Sequence, residues 1–183
     1  DDIAKPNAVL STTTSSLSIS EIASSTRMPG RVIGLHFFNP APLMKLVEVI
    51  RGLQTSEETV ESAVAFTHQI RKEPVVCKDS PAFIVNRLLI PMLNQAVQAY
   101  DDGLASREDM DAAVEMGLGY PLGLLKLADL IGLDICCNMA QGLYDGYREA
   151  RFSPPPLMKS MVKAGLLGRK SGRGFYSYNG NKK

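Results

Sequence analysis

A glutamate in the middle of an apolar run constrains this chain more than any other feature. Leu46-Val47-Glu48-Val49-Ile50 has the β-branched composition of a buried strand, yet it carries a carboxylate. A charge in that position is costly unless it is paired or hydrogen-bonded. A second run of the same kind, Val32 to Phe38, precedes it and carries His36; Pro40 and Pro42 force a turn between the two. If the strands fold back about that turn as an antiparallel pair without a bulge, His36 and Glu48 face each other. Directly opposed residues have Cβ atoms roughly 4.5–5.5 Å apart, close enough for a carboxylate to orient an imidazole.

The rest of the first part alternates short strands and helices. Ala8 to Thr12 reads as a buried strand, and Ser18-Ile19-Ser20-Glu21 has capping-box spacing for a helix from Ile19 to about Thr26. Ser56 can cap a helix running to about Arg71, with Glu57 and Glu58 at its positive end, and Pro74 to Cys77 is one more strand. After Lys78 the character changes. Ser80-Pro81 is the start signal of a helix, apolar on nearly every face up to Ala96 and carrying Pro91 inside it. Further helical patterns follow over Ser106 to Met116, Leu122 to Leu130, Asp134 to Ala150 and Leu157 to Ala164. The fold class expected is a Rossmann-type α/β remnant over residues 1–78, followed by an all-α helical domain over residues 79–183.

Composition narrows the function classes. A net charge of +1 argues against a nucleic-acid or anionic-membrane partner, which would leave a basic patch. No apolar run approaches the roughly 18 residues of a membrane span. The opening Asp1-Asp2-Ile3-Ala4-Lys5 lacks the character of a secretory signal. Three cysteines, Cys77, Cys136 and Cys137, have neither metal-site nor disulfide-framework spacing, so the expectation is a reduced, cytoplasmic protein without a metal.

Four features could carry chemistry. A lone histidine at a strand end is more often a core residue than a catalyst. Opposite a carboxylate, it gains what proton transfer near neutral pH requires, because the carboxylate fixes its tautomer and favours its charged form. A buried ion pair without a chemical role is the competing reading. Asn86, within Ala82-Phe83-Ile84-Val85-Asn86-Arg87-Leu88-Leu89, is an amide among apolar neighbours that either bridges helices or polarises a substrate oxygen. The hydroxyl run Thr12-Thr13-Thr14-Ser15-Ser16 follows the first strand, where ligands of open α/β sheets bind. By itself such a run is only a polar turn.

Taken in order, Thr14-Ser15-Ser16-Leu17, His36 to Pro40, Met44 to Val49, Lys78-Asp79-Ser80-Pro81 and Asn86-Arg87-Leu88 resemble the 3-hydroxyacyl-CoA dehydrogenase family, including its bacterial 3-hydroxybutyryl-CoA members. Gly117 to Gly123 and Gly172-Arg173-Gly174-Phe175-Tyr176 belong to the same pattern, so the resemblance covers essentially the whole chain. It implies that His36 is the general acid/base for a 3-hydroxyl and that Glu48 is its partner. Ser15 and Asn86 then bind and polarise the reacting oxygen, and Ser15 and Asn39 lie by the nicotinamide end of NAD or NADP. The implied substrate is an acyl-CoA. Thr13 departs from the pattern, where family members carry asparagine.

Nothing in the sequence fits Gly-x-Gly-x-x-Gly between a strand and a helix, nor the acidic residue that follows such a motif. The expectation is that the family's first βαβ units lie upstream of Asp1 and that the chain alone is inactive. A second reading is a non-catalytic oligomerisation module built on the helical domain, whose apolar first helix equally predicts a homodimer. A third, a 6-phosphogluconate-type dehydrogenase, ranks lower, because that class relies on a lysine where this chain has Asn86 and Arg87.

Overall fold

Leu10–Thr12 (β1), Val32–Phe37 (β2), Leu46–Arg51 (β3) and Glu73–Lys78 (β4) form one sheet in that order in the computed structural model, which describes residues 3–5 and 7–178. The β1–β2 and β3–β4 pairs are parallel, and β2–β3 is antiparallel. Each parallel pair needs a crossover, supplied by Ile19–Ser24 (α1) and Glu57–Gln69 (α2). Ser18 and Ser56 cap these helices by accepting from the Glu21 and Thr59 amides.

Strand alternation sends successive side chains to opposite faces. Ile33, Leu35, Val47 and Val49 pack against Val60 and Ala63 of α2. Val32 and Ile50 pack on the other face with Ile19, Ala23 and Phe83. His36 and Glu48 share this second face. A Cβ at Gly34 would collide with Ile19 and Ile50, so glycine is what lets α1 lie directly on β2.

The chain divides into two compact units, the first ending at Val85 and the second beginning at Asn86. This lies beyond the division expected after residue 78, and the helix expected from Pro81 starts only at Val85, as α3, Val85–Asp101. The intervening turn has Ala82 and Phe83 at φ 62° and 55°, a left-handed conformation that a helix cannot continue through. Phe83 donates to the Ser80 carbonyl, and the next two amides donate to Glu48. Those bonds, rather than Ser80, set where α3 begins.

The second unit continues with Arg107–Leu118 (α4), Leu124–Ile131 (α5), Leu133–Tyr147 (α6) and Pro156–Lys163 (α7). Two buried aspartates fasten it together. Asp111 accepts from the Leu125 and Lys126 amides and from the Tyr176 hydroxyl. Asp129 accepts from the Phe175 and Tyr176 amides and from the Tyr178 hydroxyl. The glycine-rich segment ending the described chain is thus tied to α4 and α5. Among the described residues no helix is long and apolar enough to cross a membrane.

Candidate active site

His36 lies one residue before the end of β2, opposite Glu48 in the β2–β3 ladder, as the antiparallel register predicts. Its Nδ1 is 2.7 Å from Glu48 Oε2, and its Nε2 is 3.1 Å from Ser15 Oγ. His36 is 4 % exposed and Glu48 fully buried, whereas Ser15 is exposed. The ring is therefore held from the protein side at Nδ1 and meets its other partner on the side open to solvent. Phe38 stands edge-on to the imidazole at 4.7 Å between centroids, and Phe83 lies tilted at 5.5 Å.

Glu48 has its own support. Oε1 accepts from the Ile84 and Val85 amides at 3.0 and 2.9 Å. Burial pushes its carboxyl pKa up, but the bonds from His36 and from these two amides outweigh burial and leave it below the ordinary range. An ionised carboxylate only accepts, so His36 Nδ1 must carry the hydrogen. In the neutral ring Nε2 then presents a lone pair, and Ser15 donates its hydroxyl to it. The tautomer that can take a proton at Nε2 is built in. The Cys77 thiol, by contrast, is pushed up to about 11, first by burial and then by the charges of Glu48 and Asp79, which makes it a poor nucleophile.

Ser15 sits three residues past β1 on a loop shaped by its own hydroxyls. Thr12 Oγ1 accepts from the Thr14 amide, and Thr14 Oγ1 accepts from the Ser16 and Leu17 amides. Because β1 and β2 are parallel, Ser15 and His36 both lie towards the carboxyl ends of their strands, the edge where ligands of α/β sheets bind.

Asn39 follows β2, exposed, before a turn in which Leu43 and Met44 donate to the Pro40 carbonyl. Lys72 closes that turn by donating to the carbonyls of Ala41, Pro42 and Met44. Asn86 is the first residue of the second unit, half-buried in the opening turn of α3. The first unit therefore brings together His36, Glu48 and Ser15, and Asn86 belongs to the second unit. Sequence reading gave no role to two contributors, the Ala82–Phe83 turn and Asp79. Asp79 had a signal, a charge closing a strand beside a Ser-Pro, but nothing local indicated that its partners lie some 60 residues away.

Comparison with known proteins bears on this arrangement. Residues 1–80 match the family described as 3-hydroxyacyl-CoA dehydrogenase, NAD binding domain, and residues 83–178 match its C-terminal domain. The 3-hydroxybutyryl-CoA dehydrogenase of Clostridioides difficile is 50% identical over 98% of this chain and 64% of its own length. A probable 3-hydroxybutyryl-CoA dehydrogenase of Bacillus subtilis is 48% identical over 97% of this chain and 62% of its own length. The crystal structure of (S)-3-hydroxybutyryl-CoA dehydrogenase from Ralstonia eutropha superposes with a TM-score of 0.95 at 46% identity, covering 97% of this chain and 63% of that one. The chain thus spans a little under two thirds of the length of these relatives. With one family domain matched over residues 1–80 and the other over residues 83–178, the chain belongs to the 3-hydroxyacyl-CoA dehydrogenase family.

Proposed function

We propose that this chain carries the proton-transfer site of an NAD(P)-dependent dehydrogenase interconverting 3-hydroxyacyl-CoA and 3-oxoacyl-CoA, with 3-hydroxybutyryl-CoA as the preferred substrate. The observation that carries the reading is the Glu48–His36–Ser15 series, with Nδ1 bound to a buried carboxylate and Nε2 meeting a hydroxyl at the ligand-binding edge of the sheet. In the oxidising direction Nε2 takes the proton of the 3-hydroxyl, and Glu48 stabilises the imidazolium that results. Ser15, released from Nε2 when the ring is protonated, turns its hydroxyl towards the reacting oxygen. Asn86, from the second unit, enters this proposal as a further ligand of that oxygen through the family resemblance alone. The nicotinamide, when bound, supplies the acceptor or donor of the hydride at C3. Ser15 and Asn39 are the residues of this chain proposed to hold its nicotinamide end. Their place beyond the carboxyl ends of β1 and β2 fits that assignment.

Carbon flow through fatty-acid or butanoate metabolism, in the cytoplasm and as a homodimer, completes the proposal. In the second unit Leu88, Leu104, Met116 and Leu118 are exposed, which supports a covered apolar surface. The direct test is turnover of acetoacetyl-CoA with NADH by a full-length family chain carrying this sequence, with and without His36→Gln. Unchanged turnover in the variant would exclude His36 as the acid/base.

A further inference from the structure

Ser15 is exposed and stands on a loop, so its 3.1 Å approach to His36 Nε2 requires that loop to be fixed at both ends. The Thr12 and Thr14 hydroxyls fix the upstream end. At the downstream end, Ser18 Oγ, the Ser20 amide and Ser20 Oγ all donate to a single oxygen, Oδ2 of Asp79, at 2.8, 2.8 and 2.7 Å. Three donors on one carboxylate oxygen make a charge-assisted anchor stronger than any neutral bond in the loop. Ser20 Oγ in turn accepts from the Leu53 amide just after β3, and the Asp79 amide donates to the Arg51 carbonyl, extending the β3–β4 pairing. Asp79 shares the capping of α1 with Ser18: it accepts the first-turn Ser20 amide, and Ser18 accepts the Glu21 amide. What Asp79 adds is a tie between the Ser15 loop and the half of the sheet that holds Glu48.

We propose that Asp79 is a positioning residue that sets the Ser15 hydroxyl against His36 Nε2. Five residues further on, the same segment presents the Ile84 and Val85 amides to Glu48, so residues 79–85 clamp both partners of the imidazole. The importance of this clamp for turnover rests on the function proposed above; the placement itself does not.

The test is the ¹⁵N resonance of His36 Nε2 in the 183-residue chain. His68→Gln, an exposed site on α2, leaves His36 as the single histidine to assign. Asp79→Ala is expected to move the Nε2 resonance in the direction that Ser15→Ala moves it, to leave Nδ1 where Glu48 holds it, and to add nothing in a Ser15→Ala background. Asp79→Asn, which can keep an oxygen facing the three donors, is expected to hold the Nε2 resonance close to its parent position. Should Asp79→Ala unfold the chain, Ser20→Ala removes one donor without touching the carboxylate. It is expected to give a smaller shift of the same sign, absent again in the Ser15→Ala background. An Nε2 resonance unmoved by Asp79→Ala (or by Ser20→Ala in its place), one moved equally without Ser15, or a matching displacement at Nδ1 overturns the proposal. Turnover is not read here, so a full-length family chain that fails to turn over acetoacetyl-CoA would refute the dehydrogenase reading and leave the positioning role, read from these shifts, standing.

Discussion

His36 Nδ1 lies 2.7 Å from Glu48 Oε2, both side chains sealed from water, while the other ring nitrogen meets an exposed serine. This polarity, fixed on one side and open on the other, makes the effect of removing the ring specific. His36→Ala in a full-length family chain is expected to lower kcat by about 10²–10⁴-fold, the usual contribution of general acid–base catalysis. KM for the acyl-CoA should change little. Steady-state kinetics separates the two, and a loss confined to KM would remove His36 from the chemistry.

Glu48 links the site to pH. Its pKa lies below the ordinary carboxylate range, so the folded state favours the ionised form. The stability this contributes is complete above the unfolded carboxylate value, about 4.3, and is lost as pH falls through the lower folded value. Denaturant melts from pH 7 down to 3 should therefore show an acid limb that Glu48→Gln flattens. The same variant should lower kcat, because a neutral amide cannot stabilise an imidazolium. In a cycle with His36→Ala, the two losses should not multiply.

In the second unit, Asp129→Ala would strand the buried Phe175 amide and the Tyr176 amide at about 1–3 kcal/mol each. Gly174→Ala should be comparably damaging, since its Cβ would overlap the Asp129 carboxylate. Thermal unfolding followed by amide exchange in α5 checks both. Melts within a degree of the parent would mean that the network relaxes around the change.

The exposed Leu88, Leu104, Met116 and Leu118 lead us to expect a homodimer at micromolar concentration. Sedimentation velocity decides this, and a monomer would count directly against it.

The 183-residue chain by itself is expected to bind NADH poorly and not to turn over acetoacetyl-CoA. Dinucleotide affinity in such folds comes largely from the amides of a glycine-rich turn and the helix start behind it. No such motif is present in the sequence. Saturable micromolar NADH binding with steady turnover would reveal an unforeseen nucleotide pocket.

The His36–Glu48 pairing was legible because strand register follows from turn position and alternation, both local to the sequence. The caps at Ser18 and Ser56 were legible for the same reason. The start of α3 was not. Ser80-Pro81 carries a strong local start signal, but a carboxylate more than 30 residues earlier takes the Ile84 and Val85 amides and delays the helix to Val85. The roles of Asp79, Asp111 and Asp129 were hidden similarly. Each is one ordinary acidic residue in sequence, and its meaning lies in donors brought to it by tertiary contact.

Asp129 also gives the second unit an order of assembly. Its backbone-amide partners begin with Phe175, 46 residues later in the chain. At a synthesis rate of about 5–20 residues per second, the carboxylate waits roughly 2–9 seconds for them. During that interval a buried aspartate without donors would oppose closure of the helices around it. Released chains truncated before Phe175 should therefore stay open to proteolysis across α5, and chains extending past Tyr178 should resist it. The glycine-rich tail acts as the latch that lets a nascent helical unit shut.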